Sequence, residues 1–238
     1  MYTLQGIIRT GINNSTVQFD RLGYVGTNFA NIGTTGYKNV SFEQYLTEDG
    51  YVAGTTRTNC AQGSLRITNN PYDVAIKGIG YIPVVSEEGK VAYTRDGSFK
   101  VGKDGYLLTS DDWMVGSGIQ IPSNIHSFQI KRNGDVVVMD TAKSTPRKIG
   151  SIPLVQFQSP ESLKEVGHNK LVQTSESGEP KLIKNHESIY QNNLETANVD
   201  IFNEINSVLR LNASMLAHMQ LMKVAYDMYN KGINIREG

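Results

Sequence analysis

The apolar positions of this chain change rhythm twice. Between residues 8 and 29 they recur at alternating steps of four and three, as Ile8, Ile12, Ser15, Phe19, Leu22, Gly26 and Phe29. That is the spacing of one seam along a helix. The seam is poor, because Ser15 and Gly26 occupy core positions and Gly11, Gly23 and Gly26 lower helix propensity. Small residues in a seam let a neighbouring helix come close, which favours docking against a partner helix over packing on the domain's own core. From Ile201 the ladder is stronger: Ile201, Ile205, Val208, Asn212, Met215, Met219, Met222, Tyr226, Tyr229 and Ile233 keep the four-three rhythm unbroken. Phe202, Leu209 and Leu216 repeat every seven residues beside it. The spacing predicts a long amphipathic helix of coiled-coil type. Asn212 is its one polar seam member and would fix register, and the methionines are adaptable packers. At single positions they fit an ordinary core equally well; the unbroken ladder favours an interaction helix. Asp200 and Asn198 are equal candidates to cap it.

Between these helices the pattern alternates in the manner of strands. "VAIKGIGYIPVV", "KVAYTRDGSFKV", "GYLLTS", "SFQIKRNGDVVVMD" and "IGSIPLVQFQ" are rich in Val, Ile, Tyr, Phe and Thr. Glu88-Gly89, Asp96-Gly97, Asp104-Gly105 and Asn133-Gly134 punctuate them as hairpin signals, since such residues tolerate positive φ. An antiparallel β domain is expected from about Leu65 to about Ile189, with a short helical turn after Pro160. The expected division is residues 1–38 for the first helix and a closing turn, 39–62 for a polar connecting arm, 63–190 for the β domain and 191–238 for the C-terminal coiled-coil helix. The fold class is α+β, with the terminal helices pairing as a coiled coil.

Composition narrows the function classes. The 238 residues carry 23 basic and 23 acidic side chains, a neutral total with no long-range pull toward nucleic acid or an acidic membrane. A hydrophobic share of 39% leaves room for surface that is buried only against other subunits. Cys60 is the only cysteine, which excludes an internal disulfide and a cysteine metal cluster. No segment is apolar enough to span a membrane, and the start lacks the pattern of a cleavable secretory signal. His126, His168, His186 and His218 are scattered without metal-ligand spacing. Asp111-Asp112 and Glu87-Glu88 are expected in solvated turns, and Asp96, Asp104 and Asp135 begin no calcium loop. "IGTTGYK" and "KGIGYI" do not match phosphate-loop patterns, and "QGSLR" is no nucleophile elbow. No catalytic, metal or cofactor site is expected, and neither is a small-molecule substrate.

Where the first helix stops, residues 28–38 read "NFANIGTTGYK". This stretch resembles the N-terminal signature of the bacterial flagellar axial proteins (rod, hook and hook-associated), roughly N-L-A-N-x-x-T-x-G-[FY]-[KR]. The matching residues are Asn28, Ala30, Asn31, Thr34, Gly36, Tyr37 and Lys38, with Phe29 in place of the usual leucine. "AQGSLRITNNPYDVAIKGIGYIPV", "YTRDGSFKV" and "GYLLTSDDWMVGS" resemble the motifs that follow in rod proteins, and "IYQNNLETANVDIFNEI" resembles the signature before the C-terminal helix. The likeness covers nearly the whole chain in the family's motif order, nearest to the distal rod member and then the proximal ones. One departure is Asn212-Ala-Ser-Met215, where the family carries a Gln-Arg-Ala-[FY] run; another is an arm short for a distal rod member.

The resemblance implies a structural rod subunit without catalysis, transmitting torque to the hook through helical polymerisation. It implies paired terminal helices lining a tubular polymer whose β domains face outward. The implied partners are further copies, other rod and hook subunits, and the flagellar type III export apparatus, which needs no cleaved signal. The alternatives are a hook or hook-assembly axial protein, or a secreted β-domain enzyme. In the resemblance "NFANIGTTGYK" is a turn, with Gly33 and Gly36 free to adopt left-handed backbone and Asn and Thr side chains satisfying freed backbone groups.

Overall fold

The protein is described from a computed structural model that covers residues 4–142, 144–184 and 186–236. These fall into two compact units. One draws on residues 1–31, 39–59 and 199–238, the other on residues 32–38 and 60–198. The chain therefore passes between units at four points, and two of the passages flank the segment 32–38.

The first unit holds helix α1 (Leu4–Ala30), helix α2 (Ile201–Arg236) and a hairpin of Val40–Leu46 with Val52–Thr58. Residues expected as a featureless arm thus form a regular antiparallel ribbon. Phe42 stacks on Tyr24 of α1 with ring centroids 5.4 Å apart, and Gly54 leaves room for its ring, since a Cβ there would come within 2.0 Å of it. The start of α2 is capped by Asp200, whose Oδ1 accepts from the backbone N–H of Phe202 at 2.9 Å and of Asn203 at 3.2 Å.

An α+β chain with a mainly antiparallel β region is what the sequence predicted, but the coiled coil is not formed. Its seam residues Ile12, Phe19, Leu22, Ile201, Ile205, Asn212, Met219, Tyr226 and Tyr229 are exposed, Ile12 and Phe19 by 59% and 58%. Ile8, Phe29, Val208, Met215 and Met222 are only half-buried. The side chain of Ile233 lies outside the described residues. The buried positions are instead Gly11, Val17, Gln18, Val25 and Asn28 on α1 and Glu204, Leu211 and Ala225 on α2. On α1 this face is displaced by one residue, about 100° of helix rotation, from the apolar ladder.

Polar and small residues account for the displacement. His218 Nε2 lies 2.8 Å from the Gly11 carbonyl oxygen, and a Cβ at Gly11 would sit 2.3 Å from the sulfur of Met222. Gln18 Nε2 donates to Ser214 Oγ at 3.2 Å, and Asn28 Nδ2 to Glu204 Oε1 at 3.1 Å. These contacts descend along α2 as they ascend along α1, so the helices run antiparallel. A count of apolar spacing does not register such partners.

The second unit is antiparallel throughout. Its largest sheet has seven strands in the order Lys164–Glu165, Lys170–Val172, Val91–Thr94, Ile82–Val85, Met114–Val115, Leu107–Leu108, Lys100–Val101. A three-stranded sheet of Ser127–Ile130, Asp135–Met139 and Arg147–Ser151 is bulged between Val136 and Val137. The core between them is closed by fully buried Ile76, Ile82, Val84, Leu107, Val136 and Ile152. Two further pairs bring the end of the β region back to its beginning: Ile189–Gln191 on Val74–Ile76, and Asn193–Glu195 on Leu65–Ile67.

The Glu88-Gly89, Asp104-Gly105 and Asn133-Gly134 signals sit at tight reversals, each glycine with φ between 80° and 87°. Asp96-Gly97 does not. The strands either side of it do not pair with each other, and Gly97 is small because a Cβ would come 1.7 Å from the Val74 carbonyl oxygen. The helical turn after Pro160 is a single 3-10 turn, Pro160–Ser162. Asp111 is more than a solvated turn residue: its carboxylate pairs with Lys170, which is almost wholly buried.

Candidate functional site

The segment "NFANIGTTGYK" is fixed by two carboxylates, one in each unit. In the first unit Asn28, in the last turn of α1, uses its whole side-chain amide. Oδ1 accepts from the Val40 N–H at 3.0 Å, and Nδ2 donates to the Val40 carbonyl at 2.9 Å and to Glu204 Oε1. Asn39 Nδ2 donates to the same Glu204 oxygen at 2.7 Å. Glu204 is buried on α2, so one carboxylate binds the end of the first helix and the start of the hairpin. Asn31 caps back onto the Thr27 carbonyl at 3.0 Å, while Ala30 faces solvent.

In the second unit residues 32–38 form a turn locked onto Glu195. Glu195 is completely buried. Its Oε1 accepts from Lys38 Nζ at 2.5 Å and from the Gly63 N–H at 2.9 Å, and its Oε2 accepts from Arg95 Nη1 at 2.9 Å. Its backbone carbonyl accepts from the Gly36 N–H at 2.8 Å. Lys38 Nζ also donates to the Ala61 carbonyl at 2.8 Å, and that oxygen takes a second bond from Asn198 Nδ2 at 2.9 Å. The Asn198 N–H in turn donates to the Tyr37 carbonyl at 3.3 Å. Residues next to three passages between the units, at 38, 60–61 and 198, are thereby held together.

Close backbone approach explains the glycines. Gly36 has φ 71°, and a Cβ there would lie 2.8 Å from the Arg95 carbonyl carbon. Gly63 leaves room for the Thr196 carbonyl, which a Cβ would meet at 2.0 Å. Gly33, expected to share the left-handed freedom of Gly36, is not in that region. Tyr37 is buried, and Thr34 closes the turn by accepting the Tyr37 N–H at 3.3 Å.

The electrostatics are unbalanced. Lys38, Arg95 and Glu195 are all buried and carry two positive charges against one negative. Arg95 reaches the Gly78 carbonyl at 2.6 Å through Nη2 and lies over the Tyr81 ring at 5.4 Å. Burial lowers the pKa of Lys38 from 10.5; the Glu195 bond pulls it back up and Arg95 pushes it down again. Burial raises both the Cys60 thiol and the Tyr81 phenol, which are bonded to each other beside the cluster. Buried charges of this kind cost several kcal/mol to desolvate and are tolerated only with close partners. The contacts described fix backbone geometry.

Sequence reasoning singled out Asn28, Ala30, Asn31, Thr34, Gly36, Tyr37 and Lys38 but not the groups that Asn28, Gly36 and Lys38 bind. Glu195, Arg95, Glu204 and Asn39 were missed. Glu195 and Arg95 lie inside "LETANVD" and "YTRDGSFKV", so the motifs that carried the resemblance held the signal. The helix ladders, by contrast, do not come together.

Residues 75–138 match the family described as the flagellar hook protein FlgE/F/G D1 domain. The chain is 27% identical to the flagellar basal-body rod protein FlgG of Buchnera aphidicola subsp. Baizongia pistaciae, over 94% of this chain and 96% of that one. It is 27% identical to FlgG of Caulobacter vibrioides, over 96% and 98%. It is 35% identical to the flagellar hook protein FlgE of Brucella abortus biovar 1, over 49% of this chain and 32% of the hook protein.

Two outcomes are expected of the Glu195 cluster. Glu195→Gln leaves two buried cations without a counter-charge and should destabilise the β unit by about 3–5 kcal/mol in urea denaturation of the full chain. Lys38 binds its proton more weakly folded than unfolded. Between its folded pKa and 10.5 the unfolded chain therefore holds more protons, and the Lys38 contribution to stability should rise with pH through that window. Denaturation midpoints against pH should lose this rise in Lys38→Met.

Proposed function

We propose that this chain, which belongs to the family of bacterial flagellar rod and hook proteins, is a structural subunit of the flagellar basal-body rod. Copies assemble with one another and with other rod and hook components into a shaft that carries torque to the hook. Within the rod the reading is the distal segment. The subunit reaches the basal body through the flagellar type III export apparatus. It performs no catalytic step. Asn28, Ala30, Asn31, Thr34, Gly36, Tyr37 and Lys38 serve assembly by shaping the turn that follows the first helix.

One observation carries the reading: the amount of apolar helix surface that a single chain leaves uncovered. Ile12 and Phe19 on α1 and Ile201, Phe202, Ile205, Leu209, Leu216 and Met219 on α2 are all exposed, Phe202 by 78%. Leu221, Val224 and Met228 extend this to a further side of α2. A helix apolar on several sides is stable in water only when several neighbours cover it. No described helix is long and apolar enough to cross a membrane. Neighbouring copies are the partners that a helical polymer supplies.

A hook subunit is the second reading, supported by the 35% identity to the Brucella hook protein. The extent of the match favours the rod: this chain spans 32% of that hook protein but 96% and 98% of two rod proteins.

The test separates assembly from folding. Phe202→Asp replaces an exposed side chain, so the monomer should keep its denaturation midpoint within about 0.5 kcal/mol. In cells the same change should leave basal bodies without an intact rod in electron micrographs, and the cells non-motile. Normal rods and motility would count against the polymer reading.

A further inference from the structure

The loop that joins Lys164–Glu165 to Lys170–Val172 has a backbone that ordinary residues avoid. Gly167, His168 and Asn169 are consecutive and all at positive φ, 91°, 49° and 53°. Asparagine and histidine are both enriched among the non-glycine residues found in this region. His168 is exposed. His168 and Asn169 are the central pair of a type I′ hairpin turn, which requires positive φ at both positions.

The contacts that hold the turn are specific. The Val166 N–H donates to the Lys170 carbonyl at 2.9 Å and the Lys170 N–H to the Gly167 carbonyl at 3.0 Å, closing the reversal. Thr94 Oγ1 donates to the Asn169 carbonyl at 2.9 Å. With its backbone so held, Asn169 sends Nδ2 to the Thr35 carbonyl at 2.8 Å. Thr35 immediately precedes Gly36, whose other neighbour is the Arg95–Asp96 backbone. The turn at residues 32–38 is therefore gripped by Arg95–Asp96 and Glu195 and, separately, by a loop far away in sequence.

We propose that residues 166–170 are a strap whose hairpin turn aims Asn169 at Thr35, making Asn169 a positioning residue for the 32–38 turn. The bond is independent of the Lys38–Arg95–Glu195 cluster and shares no atom with it. It holds the turn in the shape that the cluster then locks.

Asn169→Gly tests this directly, because glycine keeps the left-handed backbone at no steric cost and removes only the side-chain amide. Amide hydrogen exchange of the full chain reads the Gly36 N–H, which is bonded to the Glu195 carbonyl. Loss of one neutral hydrogen bond should speed that exchange about fivefold or more, while core amides such as Val84 and Leu107 are unchanged. His168→Gly, which keeps the positive φ and touches no part of the Asn169 amide, should leave the Gly36 rate as it is. If circular dichroism finds Asn169→Gly unfolded, Asn169→Asp keeps the size and the left-handed tolerance, lacks the donor, and should speed the same exchange. An unchanged Gly36 rate in the folded variant, or uniform loosening of the whole sheet, would overturn the strap. Reduced motility of Asn169→Gly cells is the expected further result. It alone rests on the rod reading, so faster exchange with normal motility would count against that reading and not against the strap.

Discussion

A carboxylate with no exposed surface, shared by a lysine and an arginine, is costly to bury, and the chain places it where its own segments meet. Glu195 belongs to the last strand before the second helix, Lys38 to the turn after the first, and Arg95 to a loop of the large sheet. The bonds it accepts from Lys38, Gly63 and Arg95 are what make its charge tolerable. In return they fix segments that are distant in sequence. Close packing of glycines against backbone at Gly36 and Gly63 follows from it, because the segments can approach Glu195 only where no Cβ intervenes. Glu204, nine residues on, does similar work in the other unit with neutral partners, Asn28 and Asn39.

This division suits a polymer subunit. The β unit closes its own core and needs no neighbour. The helical unit leaves much of its apolar surface bare and joins its two helices through a mixed face of small, polar and a few apolar residues. Apolar surface withheld from intramolecular packing remains available for neighbouring copies.

Much of the architecture was legible in the sequence. Alternation and Asn-Gly or Asp-Gly turns gave the antiparallel β region, and the positive φ at Gly36 followed from its turn. Apolar periodicity gave both helices but not their contact. It ranks positions by hydrophobicity alone, so it chose Ile12, Phe19 and Ile205 over Gly11, Gln18 and Glu204, which touch because they are small or hydrogen-bonded. Asp96-Gly97 misled for a related reason: a glycine needed for close backbone approach is spelled like one needed for a hairpin. The partners of Lys38 were out of reach because Glu195 and Arg95 lie 157 and 57 positions away in sequence, and no local pattern ties them to it.

The central claim is that Glu195 joins the turn after the first helix to the chain before the second through a coupled, buried ion pair. A double-mutant cycle between Lys38→Met and Glu195→Gln, read by urea denaturation of the full chain, measures that coupling without reference to assembly. The account predicts a coupling energy above about 1 kcal/mol, with the double variant less destabilised than the sum of the single ones. Additivity within about 0.5 kcal/mol would contradict it.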